Sequence, residues 1–240
     1  MKTIIHKAED RGHANHGWLN AKHSFSFAGW YNPEKIQFGA LRVLNDDEIA
    51  PGMGFSMHPH DNMEIITLVQ EGELEHKDSM GNGSIIKANE VQVMSAGSGV
   101  YHSEKNASKS QAVKLFQIWI FPNKDNVQPR YAQKSFPHEN RINTWQEIIK
   151  PQSQIEGDAI YINQDAWFNI TELEKGNELQ YTPKKKNNGA YLFVINGEIE
   201  VENKLLKSRD AIGITEYDAI NIKANENSKL LLMDIPKHLN

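Results

Sequence analysis

Residues 64 to 76 read Glu64-Ile65-Ile66-Thr67-Leu68-Val69-Gln70-Glu71-Gly72-Glu73-Leu74-Glu75-His76. The first six are rich in β-branched side chains, which suit a pleated, half-buried surface. Glu71-Gly72 supplies a turn, and Glu73 to His76 reads as the returning strand. The same pattern extends outward. Gln37 to Leu44 alternates and meets the turn cluster Asn45-Asp46-Asp47. Asp78 to Gly83 is a further turn, after which Ser84-Ile85-Ile86-Lys87 resumes. Val91-Gln92-Val93-Met94 leads into Gly97-Ser98-Gly99, and the apolar run Val113 to Phe121 stops at Pro122. Short strands at this spacing indicate an all-β sandwich or barrel.

The hairpin has a second, fainter copy. Leu68-Val69-Gln70-Glu71-Gly72-Glu73-Leu74-Glu75 is echoed by Phe193-Val194-Ile195-Asn196-Gly197-Glu198-Ile199-Glu200, and Glu90 to Met94 by Asp210 to Ile214. Two β-barrels in tandem are expected. Between them, residues 122 to 140 carry Pro122, Pro129 and Pro137 and read as a linker or long arm. Thr144 to Lys150 reads as one short helix before Pro151.

Against this scaffold, two short pairs carry chemistry: His58-Pro59-His60 and His102-Ser103-Glu104. In each, ligand-type side chains stand at i and i+2, which on a strand places both on one face roughly 6.6 Å apart. Facing strands could close three imidazoles and a carboxylate around one ion. None of the 10 histidines lies between His138 and His238, so such a site belongs to the first half. Aligning Gly197 with Gly72 puts Pro183 and Lys185 opposite His58 and His60, so the second copy lacks ligands. Glu104 is the better carboxylate. Glu64 lies about 13 Å along an ideal strand from His60 and would need a bulge to enter.

The chain has 240 residues, a net charge of −5 and no cysteine. Disulfides, thiolate ligands and thiol nucleophiles are therefore excluded. The acidic balance disfavours direct nucleic-acid binding. No signal-peptide or membrane-spanning run is present, and a soluble cytoplasmic protein with no membrane partner is expected. Three histidines and a carboxylate suit one divalent transition ion, whether iron, nickel, manganese, cobalt, copper or zinc, and do not by themselves name it; iron is the expected occupant. Other features read as structural. His13 and His16 are expected to shape an N-terminal strap packed by Trp18, Phe25 and Phe27. His76 is expected to be exposed, Gly97-Ser98-Gly99 to be a turn, and Lys184-Lys185-Lys186 to be solvated. Phe25, Phe27, Phe38 and Phe55 are expected to be core residues.

Gly52 to Gly72 resembles the first cupin motif, and Gly97 to His102 the second. Arg11 to Leu19, His23 to Phe27, His58-Pro59-His60, Glu75 to Asn82, and Met94 to Gly99 with His102-Ser103-Glu104 resemble the pirin family more specifically. The likeness is closest to its bacterial quercetin 2,3-dioxygenase-like members, strong over residues 9 to 122 and thin beyond about 140. Asp61-Asn62-Met63, Ala88-Asn89-Glu90 and Val93 depart from common family residues, which bears on substrate contacts more than on the metal. The resemblance implies an all-β bicupin: an N-terminal metal-binding cupin domain over residues 1–122, a linker over 123–150, and a degenerate C-terminal cupin over 151–240. It implies metal ligands at His58, His60, His102 and Glu104, with Glu64 outside. It implies a dioxygenase that opens a flavonol such as quercetin with loss of carbon monoxide, Glu104 taking the substrate proton. The family also implies an alternative, a metal-dependent regulatory protein acting on a protein partner.

Overall fold

The computed structural model describes residues 1–154 and 156–238. Its regular structure is almost wholly β, as the alternating pattern predicts, and forms two sheet pairs of matching topology. In the first half the strands are β1 (Lys2–His6), β2 (Gly12–Asn15), β3 (Leu19–His23), β4 (Leu41–Ile49), β5 (Gly54–His60) and β6 (Glu64–Glu71). They continue as β7 (Glu73–Asp78), β8 (Gly83–Lys87), β9 (Glu90–Ser95), β10 (Val100–Asn106), β11 (Val113–Ile120) and β12 (Arg130–Ser135). The second half contributes β13 (Gln146–Pro151), β14 (Ile160–Ile162), β15 (Trp167–Leu173), β16 (Glu178–Tyr181) and β17 (Asn188–Asn196). It ends with β18 (Glu198–Val201), β19 (Lys204–Lys207), β20 (Ala211–Thr215), β21 (Ile220–Ala224) and β22 (Ser228–Pro236).

The seven-stranded sheet β12-β9-β6-β11-β4-β3-β2 faces the four-stranded sheet β5-β10-β7-β8. Their counterparts are β1-β20-β17-β22-β15-β13-β14 and β16-β21-β18-β19. The orders β9-β6-β11-β4 and β20-β17-β22-β15 coincide, as do those of the small sheets, so the faint sequence repeat is a repeat of structure. Gly72 and Gly197 hold the same place in both hairpins, at φ 79° and 94°. That left-handed conformation is open to glycine at little cost.

Three expectations about elements are corrected. Thr144 to Lys150 is not helical: β13 pairs with β15 and β14 in the second sheet, and its Ile148-Ile149 pair is buried core. A short apolar run carries no periodicity that separates strand from helix. The stretch 122–140 is not all linker, because β12 adds to β9 as an edge strand. The turn cluster Asn45-Asp46-Asp47 lies inside β4, with Asn45 and Asp47 buried. The first strand, β1, is an edge of the second sheet, where it pairs with β20 as β12 pairs with β9.

The two barrels differ inside. The second is filled by aliphatic side chains, among them Leu192, Val194, Ile199, Ile212, Ile222 and Leu232. The first keeps polar residues in its interior: Asn45, Asp47, Thr67, Glu104 and Gln117 are all buried. Between the large sheets runs a shared core in which Phe116 meets Phe193 edge to face, with centroids 5.4 Å apart. No helix among the described residues is long and apolar enough to cross a membrane.

Candidate metal centre

Three strands of the small first sheet build the site. The central one is β10, antiparallel to β5 on one side and β7 on the other. His102 lies opposite His58 on β5 and opposite Asp78 on β7, and Glu104 lies opposite His76. The period of two along a strand then gathers His58, His60, His76, Asp78, His102 and Glu104 on one face. A bulge between His102 and Glu104 adds one residue to β5, so Glu104 pairs with Phe55 instead of Ser56. The extra residue shifts parity, and Phe55 joins His58 and His60 in lining the cavity.

The metal-binding atoms of His58, His60 and His102 lie within 4.8 Å of one another. A second set, His76, His102 and Glu104, meets the same limit and shares His102. The His58 and His102 rings are 4.4 Å apart, and each lies 4.9 Å from the His60 ring. The donor chemistry fits an ion. Among the described residues, neither ring nitrogen of buried His102 has a hydrogen-bond partner, an arrangement costly to a fold unless something else engages them. His58 Nδ1 donates to the Ser56 carbonyl oxygen at 2.8 Å, which leaves Nε2 as the free lone pair. Burial and the neighbouring His58 push His60 down to about 4. Burial, with His58, His60 and His76, pushes His102 down to about 2. Both rings are therefore neutral, the form a metal requires.

Glu104 is fully enclosed. Gln117 Nε2 donates to both of its oxygens at 3.1 Å. Burial raises the carboxyl's pKa, while Gln117, His76 and His58 pull it down. Behind it stands a residue the sequence reading placed on the surface. His76 is completely buried, its ring 5.3 Å from His102 and 4.9 Å from Tyr131. Its Nε2 donates to Asp78 at 3.1 Å, and its Nδ1 is unpartnered among the described residues. Burial acts to raise Asp78, but hydrogen bonds from Asn82 and His76 outweigh it and hold the carboxyl below its usual range. The signal was present in sequence: His76-Lys77-Asp78 is a third i, i+2 pair of ligand-type residues.

Glu64 stands elsewhere. It is buried on β6, where it accepts from Ser95 Oγ at 2.7 Å and from Asn163 Nδ2 of the second half at 2.8 Å. His13 is exposed on β2 and contacts Asn20. Of the aromatic residues expected in the core, Phe25 is buried there and Phe38 packs on its edge, but Phe27 and Phe55 line the cavity.

That cavity has a volume of about 220 Å³ and is walled by Leu19, Ala21, Phe27, Phe55 and Trp119 together with His58, His60 and His102. Trp119 stands edge to face with His60 at 4.9 Å and with Phe27 at 5.4 Å. Asn45, Asp47 and Gln117 supply polar lining.

The Pirin family profile matches residues 5–120, and that of the quercetinase C-terminal cupin domain matches residues 152–235. Quercetin 2,3-dioxygenase of Escherichia coli K12 is 39% identical over 232 residues, covering 97% of this chain and 98% of that protein. The chain belongs to the pirin family. A pirin-like protein of Caulobacter vibrioides is 43% identical over 223 residues, covering 93% of this chain and 95% of its own length. The crystal structure of the bacterial pirin YhhW of Escherichia coli in complex with nickel(II) superposes with a TM-score of 0.92 at 38% identity, covering 98% and 99% of the two chains. This pirin thus has the two-cupin fold that the tandem hairpins suggested.

Proposed function

We propose that the chain is a metal-dependent dioxygenase that opens the ring of a flavonol such as quercetin. The observation that carries this reading is the clustering of His58, His60 and His102, with buried Glu104 beside His102, in the lining of an aromatic-walled cavity. The relatives named for quercetin cleavage support it. One divalent transition ion held by His58, His60, His102 and Glu104 would supply the positive charge that stabilises a flavonol's 3-hydroxyl as its anion and would assist reaction with dioxygen.

The chain's own residues do the rest. Glu104 takes the proton from the 3-hydroxyl. Gln117 holds the plane of that carboxyl through both oxygens. Phe27, Phe55 and Trp119 orient a flat ring system and exclude water. A cavity of about 220 Å³ is smaller than typical enclosing pockets of roughly 300–1,000 Å³. The reacting rings therefore enter while the remainder of the molecule rests at the mouth.

The test is to incubate protein loaded with iron, nickel, manganese, cobalt or copper with quercetin in air and to follow flavonol absorbance and carbon monoxide release. Loss of the flavonol band with at least one metal, absent in Glu104→Ala and His58→Ala, is the expected result. A flavonol band that persists with every metal contradicts the reading.

A further inference from the structure

We propose that Asp47 is a specificity residue whose carboxyl hydrogen-bonds a phenolic hydroxyl of the cavity's occupant, so that the site selects polyhydroxylated aromatic compounds. The proposal rests on the flavonol reading above and deepens it.

Asp47 lies on the inward face of β4, between Leu115 of β11 and Ala21 of β3 in register. It is 5% exposed, it lines the cavity, and its Oδ1 has no hydrogen-bond partner among the described residues. The neighbouring polar groups are engaged by the protein. Asn45 Oδ1 pairs with His23 Nδ1 at 2.8 Å, and Gln117 serves Glu104. A buried carboxyl oxygen without a partner destabilises a fold. It is out of place beside an alanine and a leucine unless a ligand completes it. A fold-supporting role would show partners, as Glu64 does with Ser95 and Asn163. Burial, with the charges of Glu104 and Asp46, pushes the carboxyl up to about 8. A carboxyl group in either protonation state accepts a hydrogen bond from a phenolic hydroxyl. The histidines stand in the same cavity, so an aromatic compound with its enolisable hydroxyl at the cluster can present a second hydroxyl to Asp47.

Quercetin and 3-hydroxyflavone share the 3-hydroxyl beside a ketone and differ in their phenolic hydroxyls. Both are titrated against the nickel-loaded protein without oxygen, with tryptophan fluorescence as the readout, for the parent, Asp47→Val and Asp47→Ala. The parent is expected to bind quercetin about tenfold more tightly than 3-hydroxyflavone. Both variants should bring the ratio near one, with 3-hydroxyflavone affinity and metal content kept within about twofold. A merely structural role would change both affinities together. If the variants keep the parent's preference, or the parent binds both compounds equally, Asp47 is not the selecting residue and the flavonol reading stands. If the parent binds neither compound, the flavonol reading fails, and this assignment fails with it.

Discussion

In the proposed site Glu104 is the residue on which metal binding and proton transfer turn. It accepts from Gln117 on both oxygens and faces His76, which Asp78 orients in turn. A carboxylate–histidine pair behind a ligand set fixes ring orientation and basicity. His76→Ala is expected to weaken nickel affinity by about 10–100-fold in a competitive chelator titration while leaving the fold intact. Unchanged affinity would show that His76 plays no such part. Asp47 permits a separate test in chelator-treated protein. Its folded pKa is about 8, against 3.8 for a free side chain. Between those values the folded state keeps a proton that the unfolded state has released, so stability falls as pH rises through the window. Asp47→Asn has no such proton, and its Tm advantage over the parent should widen from pH 4 to pH 8. A gap that stays constant with pH would contradict the pKa assignment. At this scale the sequence was legible where ligand types recur at i, i+2. It misled at His76, because charged neighbours on the strand's other face concealed burial that the opposing sheet imposes.

The strands that carry these residues owe their precision to two local devices. One is the bulge that restores Phe55 to the cavity face. The other is Gly54, opposite Lys105 at the end of the β5–β10 ladder. A Cβ at Gly54 would stand 2.1 Å from the Glu104 carbonyl oxygen and 2.5 Å from Lys105 Cα. Backbone cannot yield there without parting β5 from β10. Gly54→Ala is therefore expected to cost about 1–3 kcal/mol in denaturant unfolding and to reduce metal content as well. Parent-like stability and metal content would contradict that close approach. Hairpins were readable from β-branched runs and glycine turns because those signals are local. The Asn45-Asp46-Asp47 segment was not, because tertiary pairing with β3 and β11 overrides turn propensity. The strand β13 was hidden for a related reason: its length and apolar content suit either element.

At the scale of the whole molecule, duplication was legible in the two glycine hairpins, whereas the exchange at the sheet edges was not. Pairing of β1 with β20 joins residues more than 200 positions apart, and no local pattern reports such a contact. The halves share the Phe116–Phe193 core and are tied by Asp46 with Arg209 and by Glu64 with Asn163. One cooperative calorimetric transition is expected, with Phe116→Ala lowering stability by about 3–5 kcal/mol without splitting it. Two separate transitions in the parent would contradict a shared core. The central claim is that His58, His60, His102 and Glu104 hold one ion. Its most direct test is an anomalous-scattering map of crystals soaked in nickel. One peak about 2.1 Å from a nitrogen of each histidine and an oxygen of Glu104 is the predicted result. A peak held by His76, His102 and Glu104 without His58 and His60, or no peak in that barrel, would contradict it.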